Sequence, residues 1–190
     1  MTKVIKADRD KIEISKDLYE IFNRIINTKD RRFFLHHVHR DLEKNTMVVT
    51  DGRILYLYDY TGKDLAENAA KNLTPAKIGK QFYLINKSDE DSGEYPNYER
   101  VIPEYEGPDY YKIKSNEYDD YEFNICGKSG EDSITTYLLY KGIEGPINSN
   151  YLSLLKYESN FKCHVTGINN KPVVMECDES IFVVMPMMKD

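Results

Sequence analysis

Residues 11–60, KIEISKDLYEIFNRIINTKDRRFFLHHVHRDLEKNTMVVTDGRILYLYDY, decide the reading of the fold. Lys11 to Ile14 alternate polar and apolar side chains, the period of a strand with one buried face. Ser15 is placed to cap a helix, because its hydroxyl can accept an orphan amide of the first turn, and Asp17 suits the positive helix end. Leu18, Ile21, Phe22, Ile25 and Ile26 follow at spacings of three and four. They form one apolar stripe, with Lys16, Glu20, Asn23 and Arg24 on the other side. Residues 32–40, 46–50 and 53–60 read as strands, and Asp51-Gly52 as the tight turn joining the last two. The stretch spells β-α-β-β-β.

The last third repeats this grammar. Residues 134–140 read as a strand, Gly145-Pro146 as a break, and Asn148 or Ser149 as the cap of a short helix carrying Tyr151, Leu152, Leu154 and Leu155. Residues 161–167, 172–177 and 181–185 read as three more strands, with turns signalled by Asn169-Asn170 and by Asp178-Glu179-Ser180. An internal repeat of one supersecondary unit constrains the fold more than any single element. Between the halves, residues 63–73 read as a short helix ended by Pro75, 81–86 as a strand and 87–94 as a polar loop. Residues 110–115 and 121–126 read as strands around an acidic turn. The expected class is α+β, with helices on one face of antiparallel sheets. The favoured organisation is one enlarged domain, 1–190, whose halves 1–86 and 104–190 are joined by 87–103. The alternative is two truncated domains, 1–103 and 104–190.

Composition limits the function classes. The 190 residues are 41% hydrophobic, enough for a real core. Asp+Glu number 32 against 26 Lys+Arg, and the net charge of −6 argues against a surface that clings throughout to nucleic acid, though a local basic face remains open. Sixteen Tyr and no Trp suit half-buried sheet faces and interfaces. Cys126, Cys163 and Cys177 are odd in number and form no CxxC pair, so a disulfide framework is not expected and a reducing cytoplasm is. The opening MTKVIKADRDKIEIS has no apolar core, so no signal peptide is expected. No apolar run approaches the roughly 20 residues of a membrane span.

Four separated segments carry a family likeness. Val49-Thr50-Asp51-Gly52-Arg53-Ile54-Leu55 is similar to the "ATDGHRL" turn of the bacterial DNA sliding clamp, the polymerase III β subunit. Tyr95-Pro96-Asn97-Tyr98-Glu99-Arg100-Val101-Ile102-Pro103 resembles its "FPDYRRVLP", Ile147 to Leu152 its "FNVSYVLD", and Phe182-Val183-Val184-Met185-Pro186-Met187 its "YVVMPMRL" ending. The segments stand in the family order, and the β-α-β-β-β unit is the one from which clamp domains are built. The chain departs from the family in length, a clamp subunit having three domains. It also departs at Arg53-Ile54 in place of His-Arg, at Glu99 in place of a basic residue, and in its Met188-Lys189-Asp190 end.

The resemblance implies a DNA-clamp-like α+β fold and a pocket for the short clamp-binding peptides of polymerases, clamp loaders and repair proteins. By position, Thr50, Gly52, Arg53 and Leu55 would form one wall, Pro96, Arg100 and Val101 a second, and Tyr151, Val183, Met185 and Pro186 the rest. Leu55, Val101, Val183 and Met185 offer apolar surface, Met adapts to related peptides, and Arg100 can bond a carboxylate. Taken singly, Val183-Val184-Met185 also reads as a core strand and Asp51-Gly52 as an ordinary hairpin turn. Clamps further encircle duplex DNA non-specifically with Lys and Arg. Arg24, Lys29, Arg31, Arg32, Lys156 and Lys162 are the positions for that role, while Lys16 beside Glu20 reads as a solvated helix face. A ring from so short a chain requires a homo-oligomer. Two other readings stay open: a monomeric clamp mimic that competes for partners without touching DNA, and a metal-dependent enzyme using the His36 to His39 segment. On a strand His37 and His39 share a face, but no Cys or well-placed carboxylate accompanies them. Cys163-His164 face opposite ways and make no nucleophile–base pair, and the acidic clusters at 89–91 and 117–120 lack calcium-loop spacing. No phosphate-binding glycine motif occurs. The expectation is a binding protein without catalytic residues, metal or cofactor.

Overall fold

The computed structural model describes residues 4–8, 11–26, 30–61, 71–86, 95–106, 111–114, 123–126, 135–140, 143–158, 160–166 and 171–185. The chain divides into two compact units, Met1–Asn97 and Tyr98–Asp190. The division falls inside the 87–103 stretch read as a connecting segment.

The first unit opens with β1 (Val4–Asp8), β2 (Lys11–Ile14) and α1 (Lys16–Ile25). Then come β3 (Val38–Asp41), β4 (Thr46–Thr50), β5 (Ile54–Asp59), β6 (Asn72–Ile78) and β7 (Gln81–Asn86). These strands make an antiparallel sheet in the order β1-β2-β7-β6-β3-β4-β5. The helix starts where the sequence says. Ser15 is extended and its Oγ accepts the Leu18 amide at 3.2 Å, with Asp17 in the first turn. Leu18, Ile21, Phe22 and Ile25 are buried against β4, β6 and β7. Burying each is worth about 1.5–3 kcal/mol, which outweighs the weak intrinsic stability of a ten-residue helix. The Phe22 ring meets Tyr56 edge-on at 5.8 Å, and Tyr19 lies 4.9 Å from Phe82.

Two expectations in this unit need correction. Residues 32–40 do not form one strand: Phe33–Leu35 is a 3-10 turn closed by the Leu35 amide on the Arg32 carbonyl at 3.1 Å, and β3 begins only at Val38. The turn drives Leu35 fully into the core, which an extended chain of alternating side chains does not require. Nor does a helix run on to Leu73. Residues 62–70 lie outside the described residues, and Asn72 and Leu73 already pair with His39 and Val38. Pro75, read as a helix stop, sits inside β6. Among the described residues it lies beyond the Leu73–Val38 pair where the β3–β6 pairing ends, a place where a sheet tolerates proline.

The second unit holds β8 (Tyr111–Lys114), β9 (Phe123–Cys126), β10 (Thr135–Tyr140), β11 (Ile143–Asn148) and α2 (Ser149–Leu152). A 3-10 turn (Ser153–Tyr157), β12 (Phe161–Val165), β13 (Val173–Cys177) and β14 (Ser180–Val184) follow. Strands β14-β13-β12-β8 pair antiparallel in that order, and β11-β10-β9 form a three-stranded sheet. Gly145-Pro146 does not break the chain but lies in β11, paired with Leu138 and Tyr137. Among the described residues β11 pairs with β10 alone, and such an edge strand tolerates proline. Leu154, Leu155, Cys163, Val173, Val174, Met175, Phe182, Val183 and Val184 form the core. Burial pushes the Cys163 thiol up to about 12, so it packs as a small hydrophobe. Among the described residues no helix is long and apolar enough to cross a membrane.

Candidate functional site

In the first unit the turn between β4 and β5 is built by its own polar atoms. The Thr50 hydroxyl donates to the Ile54 carbonyl at 2.7 Å and accepts the Gly52 amide at 3.0 Å. Asp51 Oδ1 accepts the Arg53 and Ile54 amides at 2.8 and 2.9 Å. Gly52 has φ +87°, and a Cβ there would stand 3.0 Å from Nη2 of Arg32. The turn therefore needs glycine both for its backbone and for the guanidinium that lies across it. Thr50 and Leu55 are cross-strand partners, but Leu55 is buried at 4% exposure. Gly52 and Arg53 are exposed, as is Pro96 further along this unit.

Arg32, assigned above to DNA, is bound into this corner. Its guanidinium donates twice to Asp30 at 2.9 Å, and its backbone amide adds a third bond at the same distance. These hydrogen bonds hold the Asp30 carboxyl far below the usual carboxylate range and raise Arg32. Nothing in the local sequence separates Arg32 from Arg31.

The second unit places Arg100 and Val101 on a 3-10 turn, Tyr98–Val101, with both side chains exposed. Tyr151 is half-buried on α2. Val183 is a core residue with no exposure, whereas Met185, just past β14, is 39% exposed. Pro186 lies outside the described residues. By sequence position the hairpin residues and Pro96 belong to the first unit, and Arg100, Val101, Tyr151, Val183 and Met185 to the second.

The basic positions are mostly spoken for. Arg24 pairs with Glu20 at 3.8 Å along α1, and Lys162 with Glu176 at 3.8 Å across β12 and β13. Lys156 sits 4.9 Å over the Tyr157 ring, Arg31 is exposed, and Lys29 lies outside the described residues. The histidines belong to aromatic packing. His39 stacks on Tyr95 at 4.2 Å and 9°, while its Nδ1 lies 3.3 Å from Asn72 Oδ1, and burial lowers its pKa. His37 and Phe34 also face the Tyr95 ring. The His36 ring bonds the Asp30 carbonyl. Among the described residues no group of three or more His, Cys, Asp or Glu is arranged to hold a metal ion. Sequence reading missed Tyr95 as a structural anchor and missed the pair Tyr105 and His164, because ring contacts between distant positions leave no local pattern.

No protein-family model and no curated protein matches the sequence. Solved structures do match. The Helicobacter pylori β clamp bound to a DNA ligase peptide is 13% identical, with TM-score 0.52, over 97% of this chain and 67% of that one. The Bartonella birtlesii sliding clamp bound to griselimycin is 15% identical, with TM-score 0.58, over 95% and 66%. The Thermotoga maritima polymerase III β subunit is 15% identical, with TM-score 0.52, over 100% and 68%. At such identities likeness speaks for architecture, and the architecture agrees with the four sequence segments: this chain has the α+β fold of the bacterial DNA sliding clamp, the polymerase III β subunit, over about two thirds of a clamp's length.

Proposed function

We propose that the protein is a sliding-clamp-like binding protein that holds short apolar clamp-binding motifs of replication or repair proteins and performs no catalysis itself. The observation that carries this reading is the exposure of Val101 and Met185. Among the residues whose burial is described, the large hydrophobics left exposed are Leu42, Ile78, Val101 and Met185, and Val101 and Met185 fall in segments that resemble the clamp's peptide pocket. Apolar side chains left in water at such positions are the anchors a peptide's Leu or Phe would cover. Arg100 beside Val101 would bond the peptide's polar groups or carboxylate. Val183, being buried, would contribute to the core of the same unit and not to the contact surface. The DNA ligase peptide that the Helicobacter pylori clamp binds is a suitable probe. Saturable binding in fluorescence anisotropy, lost on Val101→Ala with Met185→Ala, supports the reading; absence of binding to the folded chain refutes it.

Encircling duplex DNA is a separate matter and requires an oligomer. The pairing of Arg24, Arg32 and Lys162 with carboxylates favours the second reading, a regulator that takes clamp partners without gripping DNA. Solution mass together with retention on nicked circular DNA separates the two: a ring is oligomeric and retained, a competitor is not retained.

A further inference from the structure

Residues 95–106 include no strand, and the chain from Glu99 to Tyr105 is a run of tight turns. The Ile102 amide bonds the Glu99 carbonyl at 3.1 Å, and the Tyr105 amide bonds the Pro103 carbonyl at 3.0 Å. Such local bonds close the turns. Tyr105 supplies an attachment. Its half-buried ring meets His164 edge-on, with centroids 4.8 Å apart and planes at 64°. His164 is itself 3% exposed on β12, and its Nε2 lies 3.3 Å from Glu176 Oε2 on β13, the carboxylate that also pairs with Lys162. The ring thus rests on a side chain fixed by two paired strands, four residues beyond Val101.

We propose that Tyr105 is a positioning residue, holding Arg100 and Val101 ready for the peptide by bracing their segment on His164; this rests on the peptide-binding reading. A peptide that must order a loose turn loses affinity to the ordering, so a braced turn binds more tightly without a new contact. A T-shaped aromatic pair contributes enough for roughly a three- to tenfold effect on the opening of the segment and on peptide binding.

The test needs two readouts on the full chain. Trypsin cleavage after Arg100, followed by mass spectrometry with the cut after Arg53 as internal control, reads the brace without any ligand. Anisotropy with the DNA ligase peptide reads its consequence. Tyr105→Ala is expected to speed the Arg100 cut about three- to tenfold relative to Arg53 and to weaken the peptide by a similar factor. Tyr105→Phe, which keeps the ring, is expected to restore both. Should Tyr105→Ala unfold at the assay temperature, Tyr105→Leu keeps apolar volume without the ring edge and is read the same way. An Arg100 cut at the wild-type rate in the Ala or Leu variant overturns the brace, and a faster cut with unchanged peptide affinity overturns the positioning role. A wild-type chain that ignores the peptide sinks the function proposal, while the cleavage ratio still decides whether Tyr105 holds the turn.

Discussion

Truncating Val101 and Met185 together to alanine should remove a calculable part of peptide affinity while sparing the fold. Val101 is 43% exposed and Met185 39%, so a bound peptide has about that fraction of each side chain left to cover. Full burial of such a side chain is worth about 1.5–3 kcal/mol, and two-fifths of it is about 0.6–1.2 kcal/mol per residue. Allowing for the Cβ that alanine retains, the pair should cost about 1–2 kcal/mol, a rise in Kd of roughly 5- to 30-fold. Because neither side chain belongs to the core, the urea midpoint and slope should match those of the parent chain. Leu55→Ala is the instructive contrast: at 4% exposure it opens a cavity, so any affinity it loses arrives with lost stability, of about 2–5 kcal/mol. Anisotropy titration with the ligase peptide reads the effect. A double variant whose Kd moves by less than about twofold with its fold intact would refute the assignment of these residues as anchors.

Three further outcomes follow from individual contacts. Phe22→Ala removes a ring with no exposure that lies edge-on to Tyr56, and should lower stability by about 3–5 kcal/mol in urea titration, read at the unfolding midpoint. Gly52→Ala should cost about 1–2 kcal/mol through its positive φ, and the guanidinium of Arg32 must also give way; Gly79→Ala, with φ +62° and open space, isolates the backbone share. Asp30, held down by its hydrogen bonds to Arg32, should keep its charge well below the pH at which ordinary aspartates protonate. Its folded pKa lies below its unfolded value, so its contribution to stability is present above the unfolded pKa and fades as pH falls through the folded one. Carboxyl carbon shifts in an NMR titration follow this, and Arg32→Ala should return Asp30 to the usual range.

What the sequence made legible was whatever depends on near neighbours. The helix from Lys16 to Ile25 follows from its apolar spacing and the Ser15 cap, and β4 and β5 from their β-branched and aromatic runs about Asp51-Gly52. What it hid depends on partners far along the chain. Pro75 looks like a stop because local chemistry cannot show that β3 ends its pairing at Leu73, and Pro146 looks like a break because nothing nearby reveals that β11 is an edge. The same limit applies to the site. Thr50, Gly52, Val101 and Met185 could be named as candidates because they sit in motifs that read as text. The depth of Leu55 and Val183, the guanidinium of Arg32 across Gly52, and the Tyr105 ring on His164 are tertiary facts that no spacing encodes.

The basic residues show how such tertiary facts alter a functional argument. Six positions were read as facing DNA, and each cation that neutralises a phosphate adds about −0.9 to the slope of log K against log salt. A cation already paired with a carboxylate releases no counterion unless that partner moves away, and Arg24, Arg32 and Lys162 are so paired. These pairs are exposed and individually weak, about 0–1 kcal/mol, so phosphates can compete for them, but the carboxylates then face the DNA and repel it. That leaves at most Lys29, Arg31 and Lys156, and a slope no steeper than about −3 per subunit, where six unencumbered contacts would give about −5. Retention on nicked circular DNA measured between low and physiological salt reads that slope. A value near −5 per subunit would show that the carboxylates swing aside on binding, and the competitor reading would lose its support; a slope no steeper than about −3 would keep it.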